Sequence, residues 1–150
     1  MPREKVPSPA LTSADYQALA EFRFRIRRFL HFSEKAARAE GLEPQQHQSM
    51  LAIRACDEAA GPTVGKLAEQ LLIRHHSVVG LIDRLVERGL VERVRAGEDR
   101  RQVRVRLTPE GEAALGRLSG THREELRRTG PALKAALGKL LERRERRKGK

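Results

Sequence analysis

Apolar residues recur at steps of three and four along most of this chain, and they switch to strict alternation only around Val91–Thr108. From Ser13 to about Glu40, Tyr16, Leu19, Phe22, Ile26, Phe29, Leu30 and Ser33 trace one stripe of a long helix that Gly41 ends. The run EPQQHQSMLAIRACDEA predicts a second helix, with Pro44 in its first turn and Met50, Leu51, Ile53 and Cys56 turned inward. Gly61 and Pro62 break it. In TVGKLAEQLL, Thr63 is a good N-cap and Val64, Leu67, Ala68 and Leu71 share a face, so a third, short helix follows. After a break at residues 72–74, HHSVVGLIDRLVERGL repeats the spacing with Val78, Leu81, Ile82 and Leu85, and Gly89 stands as its stop. Two short helices joined by a tight turn predict a helix-turn-helix.

The alternating stretch, VERVRAGEDRRQVRVRLT, reads differently. Side chains on a strand point to opposite faces in turn, so Val103, Val105 and Leu107 fall together while Arg104 and Arg106 face away. AGEDRRQ between the two runs supplies Gly97 and Asp99 as turn residues, which predicts a β-hairpin with a long charged tip. A lone hairpin is marginally stable in water, so its apolar face must rest on the helices, leaving the cationic face to solvent or to a polyanion. Thr108 and Pro109 then open a further helix with Ala113, Leu115, Leu118 and Leu126 inward, and Gly130-Pro131 divides it from a last one carrying Leu133, Leu137, Leu140 and Leu141. The fold class expected is mainly α (α+β): a helix-turn-helix, a two-stranded hairpin and flanking helices with more apolar surface than one small domain can cover.

Composition sharpens this. With 31 Lys and Arg against 20 Asp and Glu, the formal net charge is +11, which favours a polyanionic partner, nucleic acid before membrane. The basic end, ERRERRKGK, carries part of the excess. No apolar run is long enough to span a bilayer and no secretory leader is visible, so a cytoplasmic location without membrane association is expected. Tyr16, Phe22, Phe24, Phe29 and Phe32 all sit in one segment, whereas single-strand binders interleave aromatic platforms with basic residues. Duplex DNA is therefore the expected partner. The chain carries no nucleophile elbow, phosphate loop or H-E-x-x-H motif, and neither an enzyme nor a cofactor is expected. His75-His76 lacks a nearby third ligand, so no metal site is expected either. The single cysteine, Cys56, reads as a buried thiol without cationic neighbours, hence inert.

The segment LAEQLLIRHHSVVGLIDRLVERGLVERVRAGEDRRQVRVRLTPEG resembles the DNA-binding core of MarR-type transcriptional regulators, with DRLVERGLV, DRR and LTPEG at that family's spacing. The resemblance implies a winged helix-turn-helix homodimer on pseudo-palindromic duplex DNA, commonly a repressor released by small phenolic or lipophilic ligands or by oxidation. It divides a single domain of 150 residues into a disordered segment 1–12, dimerisation helices over 13–60 and 109–147, and a DNA-binding core over 61–108. Arg101, in the D-x-R pattern begun by Asp99, resembles the wing arginine that enters the minor groove, with Asp99 as its holder and Arg100 as a phosphate contact. A narrow minor groove concentrates negative potential and favours an inserted guanidinium.

Arg74, His75, His76 and Ser77 occupy the first turn of the helix expected to enter the major groove, where base edges are met. Gly80 stands where the family often has arginine; it either admits close backbone approach to DNA or is a tolerated exposed glycine. Arg84 suits a phosphate contact or an internal ion pair. Lys66 opposes the dipole of its helix, a penalty that a phosphate beside it would reverse. His31, His47 and Arg54 are the candidate lining of an effector pocket. The alternative function is a monomeric basic RNA- or nucleoid-binding module.

Overall fold

The computed structural model describes residues 10–95 and 102–148. Most of the expected disordered segment 1–12 lies outside them. The order of elements is α1 (Ser13–Ala39), α2 (Pro44–Ala55), α3 (Val64–Leu71), α4 (His75–Glu87), β1 (Val91–Arg95), β2 (Val103–Leu107) and α5 (Pro109–Lys148). The chain divides into two compact units, residues 32–124 and residues 1–31 with 125–150, and both α1 and α5 contribute to each.

In the unit of residues 32–124, one core gathers Ala37, Leu42, Met50, Ile53, Leu67, Val78, Ile82, Leu85, Val91, Val105, Leu107, Ala114, Leu115 and Leu118. Local chemistry sets its helices. The Thr63 hydroxyl accepts from the N–H of Lys66 at 3.2 Å and caps α3. Glu43 and Gln46 form a capping box on α2, with Pro44 in the first turn. Helices α1, α3 and α4 each close with a residue in the left-handed region, at Gly41, Leu72 and Gly89. Leu72 is the unusual one: a non-glycine residue at φ 56°, with its side chain 90% exposed in the turn between α3 and α4.

The hairpin pairs antiparallel in the register Val91↔Leu107 to Arg95↔Val103. The segment before α3 adds to it, with the Val105 N–H donating to the Pro62 carbonyl at 3.0 Å and a single bridge between Thr63 and Arg104. Gly61 makes that approach possible, since a Cβ there would stand 2.0 Å from the Val105 carbonyl oxygen.

Several sequence expectations are corrected. Ala113 is exposed and Ala114 is buried in its place, because Gly111 lies against the Leu90 carbonyl and fixes the inward row as Gly111, Ala114, Leu115 and Leu118. Leu51 on α2 and Leu126 on α5, both expected inward, are exposed, while Met50 and Ile53 are buried. Gly130-Pro131 does not divide two helices, for α5 runs through Pro131. A proline removes one ladder donor and crowds the preceding turn, but forty residues of helix hold regular structure on both sides of it.

The other unit contains the first half of α1 and the second half of α5. Ala18 and Ala136 are its buried apolar residues among those described, and they line a cleft of about 610 Å³ with Gln17, Glu21 and Lys139. Many of its large side chains face outward: Tyr16, Leu19, Phe24, Leu30, Leu126, Leu137 and Leu141 are exposed, while Phe22, Ile26, Phe29, Leu133 and Leu140 are half-buried.

Candidate nucleic-acid interface

Burial of Val78, Leu81, Ile82 and Leu85 fixes the rotation of α4. The opposite side then presents His76, Gly80, Asp83, Arg84 and Glu87, with Arg74, His75 and Ser77 exposed around its first turn. Arg74 is the N-cap residue in an extended conformation and supplies no side-chain cap, while its carbonyl accepts from the N–H of Ser77 at 3.0 Å and of Val78 at 3.2 Å; the N–H groups of His75 and His76 stand before them at the open end of α4. Arg84 is exposed and pairs with no carboxylate among the described residues; its Nη2 passes 3.7 Å from where a Cβ on Gly80 would stand.

The strands are arranged otherwise. Arg93 donates to Asp83, Arg106 donates to Glu92 at 2.7 Å, and Arg104 donates to Glu58 and to the Gly61 carbonyl at 3.1 Å. The hairpin face expected to be cationic and open is thus largely neutralised from within. Alternation in a strand gives the face but not the partners, and two of these acids lie on elements outside the hairpin. Glu92 was within reach of sequence reasoning, since it stands directly opposite Arg106 in the register.

Lys66 is not a lone surface cation. Its Nζ donates to Glu58 at 3.1 Å, so one carboxylate holds Lys66 and Arg104 together. Hydrogen bonds from Lys66 and Arg104 push the Glu58 carboxyl below its ordinary value, and Glu58 in turn raises Lys66. The penalty of a lysine at the start of α3 is met by that acid. Asp99, Arg100 and Arg101 lie outside the described residues.

The candidate effector residues do not share one cavity. His47 is buried and stacks on His122, ring centroids 4.9 Å apart, while His122 Nε2 lies 2.7 Å from the Ser33 hydroxyl and Nδ1 2.6 Å from the Leu118 carbonyl. Burial, and then His122, hold His47 below the ordinary imidazole value. Arg54 instead pairs with Glu112 at 3.1 Å and lines a cleft of about 300 Å³ with Cys56, Glu58 and Arg106. His31 is exposed and belongs to the other compact unit. His122 was missed because its partner on α2 is far away in sequence.

Cys56 is also corrected. It lies just past the last residue of α2 with extended geometry and is half-exposed on the rim of that cleft, close enough to Lys66 to raise the ammonium's pKa. Neither full burial nor the absence of cationic neighbours holds. Among the described residues there is no cluster of three or more His, Cys, Asp or Glu able to hold a metal ion, and no helix is long and apolar enough to cross a membrane.

The sequence profile of the MarR family matches residues 40–102, from the end of α1 through both helices of the helix-turn-helix to the hairpin. The matched segment, 63 of the 150 residues, is similar to the MarR family. Over 70 residues the chain is 37% identical to the HTH-type transcriptional regulator YsmB of Bacillus subtilis, a match covering 47% of the chain and 48% of that relative. The match therefore spans about half the length of YsmB. Among solved structures, the chain is similar to AbsC, a MarR family transcriptional regulator from Streptomyces coelicolor, at a TM-score of 0.70 and 19% identity, covering 95% of this chain and 100% of AbsC. It is also similar to a variant of MepR from Staphylococcus aureus bound to an oligodeoxyribonucleotide, at a TM-score of 0.64 and 18% identity, covering 89% and 98% of the two chains. At these identities the structural likeness establishes the winged-helix fold.

Proposed function

We propose that this protein is a homodimeric transcriptional regulator of the MarR family that binds duplex DNA sequence-specifically, α4 entering the major groove and the hairpin tip the adjacent minor groove. The observation that carries this reading is the outward side of α4, which sets His75, His76, Ser77 and an Arg84 that pairs with no carboxylate among the described residues beside a hairpin whose Arg104 and Arg106 are already held by Glu58 and Glu92. Ordered donors at a helix start suit base edges and phosphate, and the excess charge of +11 suits a polyanion. DNA bound to the MepR variant supports the same assignment by analogy of fold.

The exposed Tyr16, Leu19, Leu137 and Leu141 support pairing with a second copy, which would cover them. A symmetric pair would set two α4 helices about 34–36 Å apart and so call for an operator with two-fold symmetry. Repression relieved by a small phenolic or lipophilic ligand is the mode of action attached to this reading, supported by the match of residues 40–102 to the MarR family. Among the candidate effector residues, only Arg54 lines a cleft. The wing roles of Asp99, Arg100 and Arg101 and the phosphate role of Lys66 are part of the same proposal.

The test is selection of bound sites from a random duplex library, with sedimentation of the protein at micromolar concentration. Enrichment of a palindromic site by a dimer is the expected result. Equal affinity for all duplexes, RNA included, from a 16.9 kDa monomer would favour the nucleoid- or RNA-binding alternative.

A further inference from the structure

We propose that Arg84 is the guanine-reading residue of α4 and that the gap at Gly80 is what lets it reach a base edge; the inference rests on the duplex-DNA reading above.

Three observations lead there. The first is charge. Of the basic side chains around α4 and the hairpin, Arg93, Arg104, Arg106 and Lys66 are each held by a carboxylate, and Arg88 donates to the Gly41 carbonyl. Arg84 is exposed on the same helix and held by none among the described residues. Its neighbour Asp83 is the nearest acid in sequence, and Arg93 of β1 occupies it.

The second is direction. Arg84 sits four residues after Gly80, one turn further along the same face, and side chains on a helix lean toward its N-terminus. The guanidinium accordingly runs back over Gly80, with Nη2 3.7 Å from the position a Cβ would take, which points it at the turn where His76 and Ser77 are exposed.

The third is the glycine itself. Gly80 has ordinary helical backbone geometry, so no conformational demand explains it, and an interior glycine weakens a helix relative to alanine. Its surroundings contain one near atom outside the helix backbone, and that atom belongs to Arg84. The missing side chain leaves room beside the Arg84 guanidinium, whose Nη2 is the near atom there. A guanidinium fork matches the paired acceptors O6 and N7 of guanine in the major groove, whereas an ammonium cannot make the same two parallel bonds.

The experiment uses the full-length protein and the duplex chosen by the selection above, with each base of one half-site substituted in turn together with its symmetric mate. Binding isotherms at several salt concentrations compare wild type with Arg84→Lys, Arg84→Ala and Gly80→Leu, each shown to be folded by its thermal transition. Arg84→Lys is expected to keep the salt dependence of wild type and to lose a guanine preference at one symmetric pair of positions, by roughly 5- to 150-fold. Arg84→Ala should lose the same preference with little change in the salt slope, since the slope counts neutralised phosphates and not base contacts. Gly80→Leu fills that room and should lose the preference while Arg84 is still present. If both Arg84 variants keep the base profile of wild type and only the salt slope of Arg84→Ala changes, Arg84 is a phosphate contact and the inference fails. Retention of the guanine preference by Gly80→Leu overturns the role given to the glycine. If wild type itself shows no base preference, it is the duplex-DNA reading that fails, a result distinct from either.

Discussion

The two compact units spend their apolar residues in opposite ways. Residues 32–124 bury leucine, isoleucine, valine and methionine from five helices and a hairpin around one centre, and polar groups at its edge, such as His47 and Ser49, find partners. The unit of residues 1–31 and 125–150 buries two alanines and turns leucines, a tyrosine and a phenylalanine outward. The first is stable because its own chain closes it. The second has the composition of a core without a second wall, and this is why a partner chain enters the functional proposal.

Truncating one side chain in each unit separates the two most sharply. Leu118→Ala empties a fully buried position and should cost about 2–5 kcal/mol in denaturant unfolding; a change under about 0.5 kcal/mol would mean that the core of residues 32–124 is not closed as described. Leu137→Lys puts a charge on the exposed face of the other unit. It should weaken self-association at least tenfold, about 1.4 kcal/mol, in sedimentation equilibrium, and unchanged association would remove that face from the interface.

Two smaller effects probe the closed unit alone. Leu72→Gly relieves a left-handed leucine whose side chain touches little, and the expected gain is up to about 1 kcal/mol, read as a raised Tm. A loss of stability instead would show that the leucine is held in contact. The last concerns pH. Because His47 in the folded chain is held below its ordinary value of 6.5, the unfolded chain takes up a proton first as pH falls. Stability is therefore untouched well above 6.5 and declines as pH drops through it, and His47→Gln should flatten that decline. An identical slope in the variant would exclude His47 as its source. Glu58 acts in a separate range: its contribution is complete above the ordinary carboxyl value of 4.5 and is lost as pH falls through its lowered one.

The elements of the closed unit were legible in the sequence because they are written locally. Thr63, Gly41, Gly89 and Thr108 mark helix ends through hydrogen bonds spanning three to five residues, Pro44 opens α2 through its fixed φ, and the alternation of β2 fixed its inner face. What the sequence could not show depends on distant partners. Arg104 meets Glu58 across 46 residues, and His47 meets His122 across a longer span, so neither local pattern hinted at them. Cys56 was misplaced for a related reason: apolar spacing carries the stripe of α2 one step past the point where its backbone turns extended. Pro131 was read as a stop because proline usually is one, and only the length of helix on both sides overrides that.

The carboxylate of Glu58, bonded to Lys66 on α3 and to Arg104 on β2, also acts as a mechanical pin. A hairpin fastened through Arg104, in the pair Val94↔Arg104, moves with the start of α3 as one short lever. Docking such a lever restrains fewer residues than docking a loose flap would, so less conformational entropy is lost on contact. A base that is already set also favours a rapid, nearly rigid encounter over slow remodelling after capture. Cutting the pin with Glu58→Gln should therefore be felt in the association rate before it is felt in the unfolding of the chain.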